Sequence, residues 1–272
     1  MTKLVGVAIS VYKSDRKEFL QKSLDSILSQ RKVNVVIYLQ VDGFVESGVE
    51  KLLNEYETLP NLNVMWHKEN LGLATRLNQS IELALKDNVD FIARMDADDI
   101  SISTRFMTQI EYFNSNPDVD VVGSEVIEIT ETGKELYYKS MSDLHEDLAS
   151  NIIKKCPFNH PTVMFKAALF KEGFRYKEHL MNTQDYYLWV DLLASGKRFS
   201  NVKQALLYFR VDEDFHSRRG LKKAINDCKS RFYAFRTLGN MSLSNLFHVV
   251  KLFSLRVSPK SIKVFVYRFY RS

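Results

Sequence analysis

The chain is poor in cysteine: Cys156 and Cys228 are the only two among 272 residues, far apart and without metal-like spacing. That argues against a disulfide scaffold and against a zinc cluster, and makes a reducing cytoplasm the expected compartment. Long apolar runs are missing too. The N-terminus, Met1-Thr2-Lys3-Leu4-Val5, turns polar by Ser10 and lacks the apolar core of a signal peptide, so it is expected to open a buried strand. No stretch approaches the roughly 18 uninterrupted apolar residues of a membrane span. The greasiest C-terminal run, Leu246 to Val257, is broken by His248, Lys251 and Arg256. Internal repeats and low-complexity segments are absent as well. These absences leave a soluble or peripheral protein, whose 45% of hydrophobic residues suffices for a large core.

Acidic residues all but vanish near the end. From His216 onward Asp227 stands alone against 13 Lys and Arg, a net +12, whereas the rest carries 25 basic and 32 acidic residues, a net −7. The overall +5 thus hides a mildly acidic body, residues 1–215, and a strongly basic tail, residues 216–272.

Along the body two periodicities alternate. Val5 to Val11, Val33 to Val41, Leu62 to Trp66 and Phe91 to Met95 read as strands, and the second ends in the turn signal Asp42-Gly43. Between them Phe19, Leu20, Leu24, Ile27 and Leu28 recur at helical spacing, a polar helix spans Val49 to Tyr56, and Leu73, Leu77, Ile81 and Leu85 mark an amphipathic helix. Strand–helix alternation predicts an α/β fold with a mostly parallel sheet. Further on, Val119 to Ile129 predicts a strand with a hairpin at Thr132-Gly133, Asp143 to Ile153 a short helix, Thr162 to Phe165 a strand, Thr183 to Ala194 a helix and Ala205 to Val211 a last strand. In the tail Leu221, Ile225, Cys228, Phe232 and Phe235 share a helical face, and two more amphipathic segments follow near 246–257 and 261–269.

The chemistry-bearing residues cluster at strand ends. Asp96-Ala97-Asp98-Asp99 follows a buried strand, and open α/β sheets bind ligands beyond those carboxyl ends. Two carboxylates one residue apart suit a hard cation, Mg2+ or Mn2+, that fills its shell with phosphate and water. The plain alternative is an acidic turn capping the helix that starts near Ser103. Ser10-Val11-Tyr12 and Asp42-Gly43 close the first two strands, where Tyr12 is placed to cover a base and Asp42 to accept from base or ribose. Asn70-Leu71-Gly72 opens the amphipathic helix, whose Arg76 and Asn78 leave the apolar stripe and so face solvent or ligand. Trp66 and His67 read as packing residues.

In this order, these four segments resemble glycosyltransferase family 2, whose members share the GT-A fold, and in particular the short bacterial enzymes of O-antigen and exopolysaccharide synthesis. The resemblance spans roughly residues 3–215, with 1–100 as the nucleotide-binding half and 101–215 as the acceptor-binding half. It implies a Rossmann-like, mostly parallel sheet flanked by helices, here with a C-terminal amphipathic helical extension. It also implies a nucleotide-sugar site from Ser10, Val11, Tyr12, Asp42, Asn70, Gly72, Arg76, Asp96 and Ala97. Thr183-Gln184-Asp185-Tyr186-Tyr187-Leu188-Trp189 matches the family's acidic pair at a helix start, which makes Asp185 the candidate base that deprotonates the acceptor hydroxyl, opposite the leaving group. By the same likeness Asp98, with Asp96, is the expected metal ligand, His216 a further candidate, and Asp99 a residue that orients its neighbours. His160, Gln184 and Arg218 are candidates for acceptor or diphosphate. The chain departs from the family at Phe44-Val45, at Thr75 and at Leu77, all in the nucleotide segments, and does not keep the spacing Tyr-Arg-x-His around His216.

The expected reaction is an inverting, Mn2+- or Mg2+-dependent transfer of a hexose from a UDP-sugar to a lipid-diphosphate-linked saccharide. A sugar-phosphate nucleotidyltransferase would carry a Gly-rich phosphate loop after the first strand, and Ser10-Val11-Tyr12-Lys13-Ser14 is none. A non-catalytic binding module is the other alternative. The basic, aromatic tail fits an anionic membrane surface, at the cytoplasmic face of the inner membrane, better than nucleic acid, for which no module is found. Packing on the domain and a homodimer contact are its plainer uses.

Overall fold

A computed structural model describes residues 3–211 and 221–258. Four strands form its first half: β1 (Leu4–Val11), β2 (Asn34–Asp42), β3 (Leu62–His67) and β4 (Phe91–Arg94), alternating with helices α1 (Lys17–Leu28), α2 (Ser47–Tyr56) and α3 (Leu73–Lys86). They pair in parallel, in the order β3-β2-β1-β4. Both faces of β1 are covered. Val5, Val7, Ile9 and Val11 enter one core cluster, with α1 and α2, and Ala8 enters a second beneath α3, as a parallel sheet with helices on both sides requires. The helix α3 lies close, because a Cβ on Gly6 would meet Ala84 and Tyr38 at 3.1 Å. Its buried line runs through Ala74, Leu77, Ile81 and Ala84, while the expected Leu73 and Leu85 are only partly buried.

The second half is mixed. After the two-residue β5 (Ile100–Ser101) and α4 (Arg105–Ser115) come β6 (Val121–Ile129), β7 (Glu135–Lys139), α5 (His145–Ser150) and a 3-10 turn at His160–Thr162. Then follow β8 (Met164–Lys166), α6 (Ala168–Lys171), α7 (Gln184–Ala194) and β9 (Phe199–Arg210). The sheet continues β4-β8-β6-β9-β5, with β7 on β6. Here β6–β9 is parallel, and the pairings of β8 with β4 and β6, of β5 with β9 and of β7 with β6 are antiparallel. The expected hairpin forms, closed by the Gly133 N–H on the Thr130 carbonyl (3.0 Å). Two expectations shift: the last strand begins at Phe199 rather than Ala205, and the helix at 143–153 holds only from His145 to Ser150.

In the tail α8 (Leu221–Leu238) lies on α7, where Tyr233 stacks on Tyr187 at 4.5 Å, and α9 (Leu243–Val257) folds back on α8. Ala234, Phe235 and Val249 join the second core cluster. The outer side of α9 is apolar as well: Leu243, Phe247, Val250 and Val257 are exposed. Among the described residues no helix is long and apolar enough to cross a membrane. Both cysteines are free.

Candidate active site

The parallel register brings the carboxyl ends of β1, β2, β3 and β4 to one edge, since Val11 pairs with Val41 and Asp42 with His67. A cavity of about 410 Å3 opens there, lined by Ser10, Tyr12, Asp15, Asp42, Asn70 and Gly72, with Asp96, Ala97 and Asp98 at one end. Val11 is fully buried in the core and does not line this cavity.

Asp42 organises the β2 end. Its Oδ1 accepts from the Leu71 N–H (2.9 Å) and from Arg76 Nε (2.6 Å), and its Oδ2 from the Gly72 N–H (2.9 Å). Gly72 sits at φ +89°, a conformation that costs glycine little. Arg76 is 1% exposed and Asn78 is buried against Tyr176 and Glu178. Neither faces solvent, which corrects that half of the expectation; Arg76 shapes the pocket through Asp42. His67 binds Gln40 (2.7 Å), and Trp66 is half-exposed rather than packed.

Carboxyl groups of Asp96, Asp98 and Asp99 present oxygens within 4.8 Å of one another. Burial, then Asp96, pushes Asp98 up to about 6, and burial, then Asp96 and Asp98, holds Asp99 well above the usual range. Asp15, which sequence reasoning missed, is pushed up to about 7 by burial, against the Tyr12 N–H that its Oδ2 accepts and with Asp98 and Asp96 adding to the rise. A cluster whose donors are oxygens alone fits a hard divalent ion such as Mg2+ or Mn2+. Asp99 faces inward, its Oδ1 taking the Arg210 N–H (2.8 Å), while Arg210 Nε reaches the Asp98 carbonyl (2.8 Å). The end of β9 therefore fixes the acidic loop. Arg210 was not foreseen, nor was Arg94, a buried arginine ion-paired with Asp96.

Asp185 lies in the first turn of α7, beyond Thr183 at φ +65°, a strained conformation for a β-branched residue. Burial raises its carboxyl pKa, opposed by the Tyr186 N–H, Lys223 and Arg94. The ring of His160 meets the Tyr176 hydroxyl (2.9 Å), and burial, with Arg94 nearby, depresses its pKa well below the usual value. Gln184 is buried, its Oε1 unpartnered among the described residues. His160, Gln184 and Asp185 do not line the 410 Å3 cavity, but Arg94 links the two groups electrostatically. His216 and Arg218 lie outside the described residues.

Residues 6–174 match the profile of Glycosyl transferase family 2. The chain belongs to this family. It is 29% identical to the amylovoran biosynthesis glycosyltransferase AmsE of Erwinia amylovora, over 98% of this chain and 97% of that one. It is 30% identical to the O-antigen biosynthesis glycosyltransferase WbnJ of Escherichia coli, over 91% and 96%. A third relative, at 26% identity over 97% and 94%, is the UDP-Gal:alpha-D-GlcNAc-diphosphoundecaprenol beta-1,3-galactosyltransferase of Escherichia coli. Among solved structures, S. aureus TarS 1-349 in complex with UDP-GlcNAc superposes with a TM-score of 0.62 at 17% identity, covering 97% of this chain and 83% of that one. The mannosyltransferase PcManGT of Pyrobaculum calidifontis, in complex with GDP-Man and Mn2+, gives 0.64 at 13%, covering 98% and 79%. Both share the fold. The family 2 chain is thus a glycosyltransferase with the GT-A architecture.

Proposed function

We propose that this family 2 glycosyltransferase moves a hexose, with inversion, from a UDP-sugar to a saccharide carried on a lipid diphosphate. The observation that carries the reading is the Asp96–Asp98 pair at the β4 end with Asp185 beyond it, joined by the buried Arg94. The cavity edged by Asp42 and Tyr12 takes the nucleoside. A metal ion held by Asp98 and Asp96 would neutralise the charge of the departing diphosphate. Asp185 takes the proton of the acceptor hydroxyl, and the burial that raises its basicity brings it nearer to the pH at which a general base is most effective. Support for donor and acceptor comes from the E. coli relative, whose name specifies UDP-Gal and a diphosphoundecaprenol-linked GlcNAc.

Lipid-linked acceptors call for a membrane surface, and the exposed stripe Leu243, Phe247, Val250 and Val257 on a basic tail suits an anionic one at the cytoplasmic face of the inner membrane. A panel of nucleotide sugars with Mn2+, scored for slow donor hydrolysis, tests the donor. UDP-sugars are expected to react; preference for GDP- or dTDP-sugars overturns the choice of UDP, and no hydrolysis or binding of any donor overturns the reading.

A further inference from the structure

Arg94 ends β4 as the only charged residue of that strand, and it is 4% exposed. It pairs with Ala8 across the sheet and alternates with Ile92, so its side chain shares the face of the second core cluster, where Tyr176 and Trp189 lie. One guanidinium nitrogen, Nη2, binds the Asp96 carboxylate. The other two, Nε and Nη1, have no hydrogen-bond partner among the described residues. Buried N–H groups are nearly always partnered, and two orphans on one charged group, held by a carboxylate that itself lines the ligand cavity, point to a ligand.

An arginine only donates, so that ligand must bring oxygen acceptors. Asp96 already balances the charge, so neutral oxygens suffice. With the nucleoside against Asp42 and the diphosphate at Asp96 and Asp98, the part of the donor left to reach toward Asp185 is the sugar. We infer that Arg94 grips the transferred sugar, its Nε and Nη1 donating to hydroxyl or N-acyl oxygens of the donor hexose. This deepens the proposed function and rests on it.

The test measures, on the full chain with Mn2+, the affinities for UDP and for the UDP-sugar that the panel selects. Arg94→Lys keeps a cation beside Asp96 but loses the planar fork, and Arg94→Met loses both. The expected result is a loss of about tenfold or more in UDP-sugar affinity by Arg94→Lys, with UDP affinity held within about twofold. Parallel losses for both ligands would show that Arg94 acts only through Asp96, and no loss for either would show that it touches no ligand; each overturns the inference. Melting curves establish that the variants fold, and Arg94→Lys decides if Arg94→Met does not. A wild type that binds no nucleotide defeats the proposed function first, before any variant is compared, and this inference with it.

Discussion

Replacing Asp42 by alanine strikes the β2 end at its anchor. The Asp42–Arg76 ion pair has side chains only 3% and 2% exposed. Removing the carboxylate leaves the Arg76 charge buried without its partner, a loss of about 3–5 kcal/mol in comparable pairs. The freed Leu71 and Gly72 N–H groups add less than the stranded charge, because both bonds are only part-buried. At roughly 2–4 °C per kcal/mol for a chain of this size, Asp42→Ala should melt about 10 °C below wild type by circular dichroism. The double variant Asp42→Ala/Arg76→Met buries no charge and should recover much of the loss. A single variant melting within about 2 °C of wild type would refute the reasoning. The same geometry limits Asp42 as a nucleotide contact. Three of its roughly four acceptor positions are taken by Leu71, Gly72 and Arg76, which leaves about one for a base or ribose.

Other outcomes follow from the site. Because burial raises the Asp185 pKa, and the base works only deprotonated, activity should fall as pH drops through a limb lying above the ordinary carboxylate range. Lys223 holds that pKa down, so Lys223→Ala should move the limb of the kcat/KM profile to higher pH; a shift to lower pH contradicts the assignment. Asp98→Ala should abolish the gain in UDP affinity that Mn2+ brings, measured by calorimetry with and without the ion. Phe247→Glu with Val250→Glu, at positions 70% and 57% exposed, should leave the melting temperature unchanged yet cut flotation with phosphatidylglycerol vesicles about tenfold. Undiminished flotation, or a shift in sedimentation from dimer to monomer, assigns the stripe to another surface.

Local pattern revealed much of the fold and part of the site. Strands β1 and β4 and most of β2 are buried on both faces and carry their own apolar signal, and Asp96-Ala97-Asp98-Asp99 stands out where β4 ends. The two-residue β5 carries no period at all, and the first part of β9 hides among the polar residues Ser200, Asn201, Lys203 and Gln204. Arg210 braces Asp99 from 111 residues away, a partnership that no spacing announces. Arg76 looked solvent- or ligand-facing because its partner, Asp42, is 34 residues upstream. Two missed residues did leave a trace. Arg94 closes the apolar run Phe91-Ile92-Ala93, where alternation places it on a covered face, and Asp15 follows Tyr12 at the spacing of a turn that its side chain closes.

The most direct test of the central claim compares wild type with Asp185→Asn in transfer of radiolabelled sugar from the selected UDP-sugar to a lipid-diphosphate-linked saccharide. Loss of the general base should lower kcat by about 10²- to 10⁴-fold while Mn2+-dependent UDP affinity stays at the wild-type value. Transfer by Asp185→Asn within about threefold of wild type would contradict the account.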